Sequence, residues 1–336
     1  MKNIAILTRP EYRSPRILAE TLKSQIEKTG NRAELIFEIA LLAKVGPFWN
    51  SHGNFFFLLK QYFQCVLDFN LLLKKLRCFD AIVICECTPN AFWRKFYKVE
   101  YLRSKLGVPI FLYEVYYLGN APTQISKLIE AGDALFDRFD FHLSVSDITE
   151  IRVKHKTKWA CIGLDLSATS LKPLPRDEFV VLMDFPQLGY ENYRDIQIRV
   201  LNDLGIKIMF LDGEYSTEHI RELYQMASIF MMQSFEAFGV SIAECLSCGT
   251  QIFTPESSWP MSWRLDNNPS VHGNGLLPDC FTVYHGEIEL RRLLLHYKDI
   301  TDLKTKPFKV FENFITVYPH YYYGDHSVMK RIFNDL

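Results

Sequence analysis

No uncharged apolar run in the chain reaches eighteen residues, so no bilayer-spanning helix is expected. The eight cysteines are dispersed. Neither the Cys85 and Cys87 pair nor the Cys245 and Cys248 pair comes with the second pair or the histidines that a zinc site needs. No secretory leader is recognisable at the start, so free, mostly buried thiols in a reducing cytosol are expected. A Lys- and Arg-dense arm is also missing, which argues against a nucleic-acid partner. No Asp-x-Asp constellation lies beside a convincing ligand motif, and no metal is expected.

Length and apolar content are what the chain does have. Its 336 residues suit two domains of roughly 150 residues each, and 48% apolar residues supply two cores. Net charge is −1 overall, yet residues 1–170 carry +6 and residues 171–336 carry −7. That split fits a basic first domain facing an anionic acceptor or membrane, and equally a plain attraction between domains.

Short apolar runs alternate with helical stretches. NIAIL, RAELIFEI, AIVICE, IFLYEV, HLSVS and WACIGL read as strands, with a first helix from about Pro15 to Lys28. FVVLMDF, GIKIMFLD, ASIFMMQS, QIFTP and CFTVY repeat the pattern. Serial βα units predict parallel sheets with helices on both faces. KPLPRD, residues 172–177, reads as the linker, giving domains at 1–171 and 172–320 and a terminal helix within 321–336. The aromatic-rich stretch 47–73 reads as a packed helix, or alternatively as a wall for an apolar acceptor or a monotopic membrane contact. FWRKFYK at 92–98 is either an interfacial patch or a solvated helix face.

The most informative segment is SFEAFGVSIAECLSCGT, residues 234–250. Two carboxylates, Glu236 and Glu244, stand eight residues apart; the first precedes Phe238-Gly239, and the second lies in an apolar helical run that stops at Gly249. With a strand on either side this is a βαβ crossover. The loop leaving a strand's carboxyl end opens onto the ligand crevice, and the amides of Phe238, Gly239 and Val240 suit an anionic guest there. Spacing alone also allows a bland reading, in which Glu236 is favoured by the helix dipole and Glu244 is a solvated helix residue. Carboxylates beside an anion site suit a ligand with both hydroxyls and phosphates, a sugar nucleotide.

Ser234, Glu236, Phe238, Gly239, Glu244, Cys248, Gly249 and Thr250, in that order, resemble the signature of the retaining nucleotide-sugar glycosyltransferases of the GT-B fold, the glycosyltransferase family 4 or group 1 type. The strong resemblance spans about residues 205–255. It implies two Rossmann-like, doubly wound parallel-sheet domains facing across a cleft, with the donor on the second and the acceptor on the first. It further implies that Glu236 contacts the transferred sugar, that Glu244 binds ribose hydroxyls, and that no cofactor is needed beyond the nucleoside diphosphate sugar itself. The acceptor is then a glycan or lipid-linked sugar, with Glu86, Thr88 and Asn90 as contacts after a first-domain strand. In such a family the enzyme works in the cytoplasm or at the inner face of the membrane, as part of polysaccharide biosynthesis.

Two departures from the pattern stand out. The glycine-rich first loop is replaced by TRPEYRSP, and the expected Arg and Lys after the second domain's first strand are missing from FVVLMDFPQLGYENYRD. Arg194 is the only cation in that stretch, so Arg194, or Arg9 and Arg13 from the first domain, takes over the leaving diphosphate. These losses keep open a catalytically inactive partner subunit and, further off, a nucleotide-sugar epimerase.

Overall fold

The computed structural model describes residues 1–8, 13–37, 55–85, 98–116, 139–146, 158–265, 275–300 and 302–334. The chain forms two compact units, Met1–Asp165 with Gly324–Leu336, and Leu166–Tyr323.

The first unit holds a six-stranded sheet in the order β2-β1-β3-β4-β5-β6, every pair parallel. The strands are β1 (Asn3–Leu7), β2 (Arg32–Ile36), β3 (Ala81–Cys85), β4 (Ile110–Tyr116), β5 (Phe141–Ser146) and β6 (Lys158–Cys161). AIVIC of β3 is buried at every position, as a strand covered on both faces must be. Helix α1 (Arg13–Lys28) packs on this sheet, and α2 (Phe55–Leu76) sends Phe69, Leu72, Leu73 and Leu76 into a core shared with Leu7, Ile82, Ile84 and Leu112. The same helix leaves Phe63, Leu67 and Leu71 exposed on another face. α3 (Lys98–Leu106) contributes Val99 and Leu102 to that core.

The last segment of the chain, His326–Asn334, is a helix belonging to this first unit. Its Phe333 ring stands edge-on to Phe111 of β4, centroids 5.7 Å apart. Asp165, fully buried, accepts from Ser24 Oγ (2.7 Å) and Lys28 Nζ (2.8 Å) on α1. The Asp325 N–H donates to the Ile162 carbonyl at 2.9 Å. The outgoing and returning chain are thus both tied to the first unit.

The second unit holds a five-stranded parallel sheet in the order β11-β10-β9-β7-β8. Its strands are β7 (Val180–Met183), β8 (Lys207–Phe210), β9 (Ile229–Met231), β10 (Gln251–Thr254) and β11 (Phe281–Val283). Between them run α4 (Glu191–Asp203), α5 (Thr217–Met226) and α6 (Val240–Ser247), followed by α7 (Gly286–Ile300), α8 (Lys306–Val317) and α9 (Pro319–Tyr323). β7 and β9 are neighbours although two strands apart in sequence, which is the strand-order reversal where open α/β sheets place their ligands. No helix among the described residues is long and apolar enough to cross a membrane.

Candidate functional site

The segment that resembles a donor signature forms the β9–α6 loop and α6. Seven of this helix's eight residues are buried, including Glu244, because VSIAECLS is apolar nearly all round and slots between sheet and neighbouring helices. The solvated-face reading of Glu244 is therefore corrected: its carboxylate has no exposure, and it lies 3.5 Å from Arg221 Nε of α5. Gly239 caps the helix start at φ +63°, and a Cβ there would stand 2.7 Å from Glu236 Cγ and 2.8 Å from Ile242 Cδ1. Glycine is required here both by the backbone and by the closeness of Glu236. The Gly239 and Val240 amides make no main-chain hydrogen bond among the described residues.

Phe238 points the other way. Its ring is fully buried and stacked on Trp263, centroids 5.1 Å apart, with Tyr321 edge-on at 4.9 Å. Trp263 Nε1 donates to the Phe238 carbonyl at 2.5 Å, so this ring pair fixes the loop from beneath. Trp263 is core, with no exposure. Trp259, also buried, packs against Tyr190 and Tyr193 at 5.4 and 4.9 Å.

The far end of α6 is held by a residue the sequence reading passed over. Arg176, inside KPLPRD, is buried and has no carboxylate partner among the described residues. Its guanidinium donates to the carbonyls of Gln225 (3.2 Å), Cys248 (2.9 Å) and Gly249 (3.1 Å) and to Thr250 Oγ1 (2.9 Å). A planar fork satisfies the last carbonyls of two helices at once, which an ammonium cannot do. Burial lowers the Arg176 pKa to about 10, so it stays charged at neutral pH.

The carboxyl ends of β8, β7 and β9 meet at Arg194. This side chain, half-buried in the first turn of α4, donates through Nη1 to the Asp184 carbonyl (2.7 Å) and to Gln233 Oε1, and lies over the Phe210 ring at 5.4 Å. Gln233 is buried, and its Nε2 has no hydrogen-bond partner among the described residues. Asp184 accepts from the Phe185 N–H at 2.8 Å. Burial foremost, with the negative charge of Glu236 adding to it, raises the Asp184 pKa to about 7; Arg194 and the Phe185 N–H act in the opposite sense. Burial also lowers the Arg194 pKa, opposed by Asp212, Asp184 and Asp195. Asp184, Arg194, Gln233 and Glu236 thus form one cluster on the sheet edge. Gln233 was missed although its signal is visible: it is the polar residue on which the apolar run ASIFMMQ ends.

Arg13 begins α1, but its side chain lies outside the described residues, as do Arg9, Glu86, Thr88 and Asn90. Among the described residues no group of three or more His, Cys, Asp or Glu could hold a metal ion.

No family model matches the chain, and no curated protein matches it. Solved structures do. The catalytic domain of starch synthase IV from Arabidopsis thaliana, bound to ADP and acarbose, superposes with a TM-score of 0.57 at 11% identity, over 98% of this chain and 99% of that one. Anabaena HepE in complex with UDP and glucose gives 0.54 at 13%, over 100% and 99%. Phytolacca americana UGT2, complexed with UDP-2-fluoro-glucose and pterostilbene, gives 0.50 at 9%, over 94% of each chain. At such identities the likeness carries the fold alone: two parallel-sheet, Rossmann-like α/β domains, the architecture of the GT-B glycosyltransferases.

Proposed function

We propose that this protein is a glycosyltransferase that moves a hexose, with retention of configuration, from a nucleoside diphosphate sugar to a glycan or lipid-linked acceptor. One observation supports the reading above the others. Glu236, the Gly239 and Val240 amides and Arg194 converge on the carboxyl edge of a parallel sheet at its strand-order reversal. In this reading Glu236 holds hydroxyls of the transferred sugar, and the helix-start amides with Arg194 receive the diphosphate. Glu244 is assigned the ribose hydroxyls, which requires its carboxylate, buried beside Arg221 in the free protein, to become accessible when the donor binds.

The bond from the sugar carbon to the phosphate oxygen breaks, and its electron pair leaves with the diphosphate. The acceptor oxygen bonds to the same face of that carbon, and its proton passes to the departing phosphate. N–H donors and one guanidinium, already oriented, stabilise the negative charge as it develops. Neither carboxylate serves as a glycosidase-type nucleophile. Glu86, Thr88 and Asn90 are the proposed acceptor contacts.

The test is a screen of UDP-, GDP-, ADP- and dTDP-sugars, reading donor hydrolysis and transfer to lipid-linked acceptors. Glu236→Ala should lose at least ~10²-fold in turnover while keeping its circular dichroism spectrum and nucleotide affinity. Full turnover by that variant would remove Glu236 from the mechanism. A second reading, a non-catalytic partner subunit, is favoured by one feature: Arg194 is bonded inward to Asp184 and Gln233, with no second cation beside it in the described stretch. Turnover by the purified single chain would reject it.

A further inference from the structure

Three aromatic side chains at the carboxyl edge of the second sheet take no part in the chemistry above. Tyr190 caps the start of α4 and Tyr193 lies in its first turn, so both stand beyond the end of β7, where the strand order reverses. Trp259 lies in the loop after β10. Its indole meets both phenol rings edge-on, at 89° to Tyr190 and 72° to Tyr193, and the two phenol rings are 6.4 Å apart. The three rings make a corner and not a parallel slot. Both tyrosines are partly exposed, and Trp259, with 7% of its surface exposed, backs them.

Core packing alone does not account for this group. Indoles and phenols taken out of water normally find a hydrogen-bond partner. Trp263 donates to the Phe238 carbonyl, and the Tyr284 hydroxyl accepts from Gln197 Nε2 at 2.7 Å. Trp259 Nε1 and the Tyr190 and Tyr193 hydroxyls have no such partner among the described residues. The corner therefore offers apolar ring faces rimmed by three free polar atoms. A pyranose has the matching chemistry, with apolar C–H faces and a rim of hydroxyls, and its thickness suits a corner where a flat base would need a slot. The place in the fold points the same way. Arg194 stands one turn after Tyr190 on the same side of α4. The loop that carries Trp259 is tied to the loop that carries Glu236, because the Ser262 N–H donates to the Ala237 carbonyl at 2.9 Å. The corner is thus joined on one side to the cation assigned to the diphosphate, and on the other to the loop assigned to the sugar.

We propose that Tyr190, Tyr193 and Trp259 form the platform that receives the hexose ring of the donor: an apolar face of the pyranose lies against the phenol rings, and its hydroxyls bond the two phenols and the indole N–H. This inference rests on the donor reading above and deepens it by naming the side chains that read the sugar ring, separately from those that hold the nucleotide.

Calorimetric titration of the full chain with UDP, GDP, ADP and dTDP, and with the glucose conjugate of each, tests this. For the pair that binds, the double variant Tyr190→Ala with Tyr193→Ala should weaken the nucleotide sugar about tenfold and leave the free nucleoside diphosphate within about twofold. Tyr190→Phe with Tyr193→Phe keeps both rings and should give a smaller loss, again confined to the nucleotide sugar. In the wild type the nucleotide sugar should change tryptophan emission more than the free diphosphate does, and Trp259→Phe should abolish that difference. The wild-type emission decides the matter even if the double alanine variant does not fold. Equal losses for the two ligands would put the rings against the nucleotide and overturn the platform. Unchanged affinities, or emission that does not distinguish the two ligands, would overturn it as well, while the donor reading stands. If none of the ligands binds the wild type, the donor reading falls and the platform with it.

Discussion

Gly249 and Gly205 offer a matched pair for asking why the donor-like segment contains a glycine. Both follow the C-cap residue of a helix, Gly249 after Cys248 at the end of α6 and Gly205 after Leu204 at the end of α4, with φ of +71° and +58°. They differ in their surroundings. A Cβ on Gly205 would meet nothing within 4 Å, whereas one on Gly249 would lie 2.0 Å from the Pro307 carbonyl oxygen and 2.5 Å from its carbon. Pro307 sits in the first turn of α8, so the obstacle is main chain and no rotamer relieves it. Gly205→Ala should cost only the left-handed backbone penalty, about 1 kcal/mol. Gly249→Ala adds a packing clash worth about 2 kcal/mol, for roughly 3 in all. With a urea m-value of about 2 kcal/mol/M, the midpoints should fall by roughly 0.5 M and 1.5 M. Urea titrations of both variants, followed by the fluorescence of Trp259 and Trp263 in the second unit, measure this. Equal midpoint shifts within about 0.3 M would refute the steric account and leave only backbone conformation to explain the glycine.

Two other expectations follow from the same unit. Arg176→Met leaves the Gln225, Cys248 and Gly249 carbonyls without their donor and should destabilise by about 3–5 kcal/mol, with Arg176→Lys recovering only part; urea midpoints of both variants check it. Transfer should survive exhaustive EDTA treatment and rise no more than modestly on adding Mg²⁺ or Mn²⁺, because N–H groups and Arg194 are assigned the leaving-group charge. A complete, metal-reversible loss of turnover would shift that work to a bound cation.

The sequence by itself located the strands of both described sheets and the fold class. Runs such as AIVIC and VVLM, apolar at every position, short and rich in β-branched residues, read as strands covered on both faces, and their alternation with helical stretches predicts parallel sheets. It also located the β9–α6 loop as a candidate site, because Glu236, the Phe238-Gly239 step and the helix that follows are contiguous in the chain. Only the tertiary structure decided what each of those residues faces. Local pattern could not tell that Phe238 turns inward onto Trp263, twenty-five residues away, or that Glu244 is buried against Arg221 of another helix. Nor could it bring Asp184, Arg194 and Gln233 together. They lie on different elements and meet only because β9 inserts beside β7 in the sheet, a pairing set by long-range packing that no single stretch of sequence encodes. Arg176 was hidden for the same reason: its partners are carbonyls, which every residue has, so only three-dimensional proximity reveals which ones it holds.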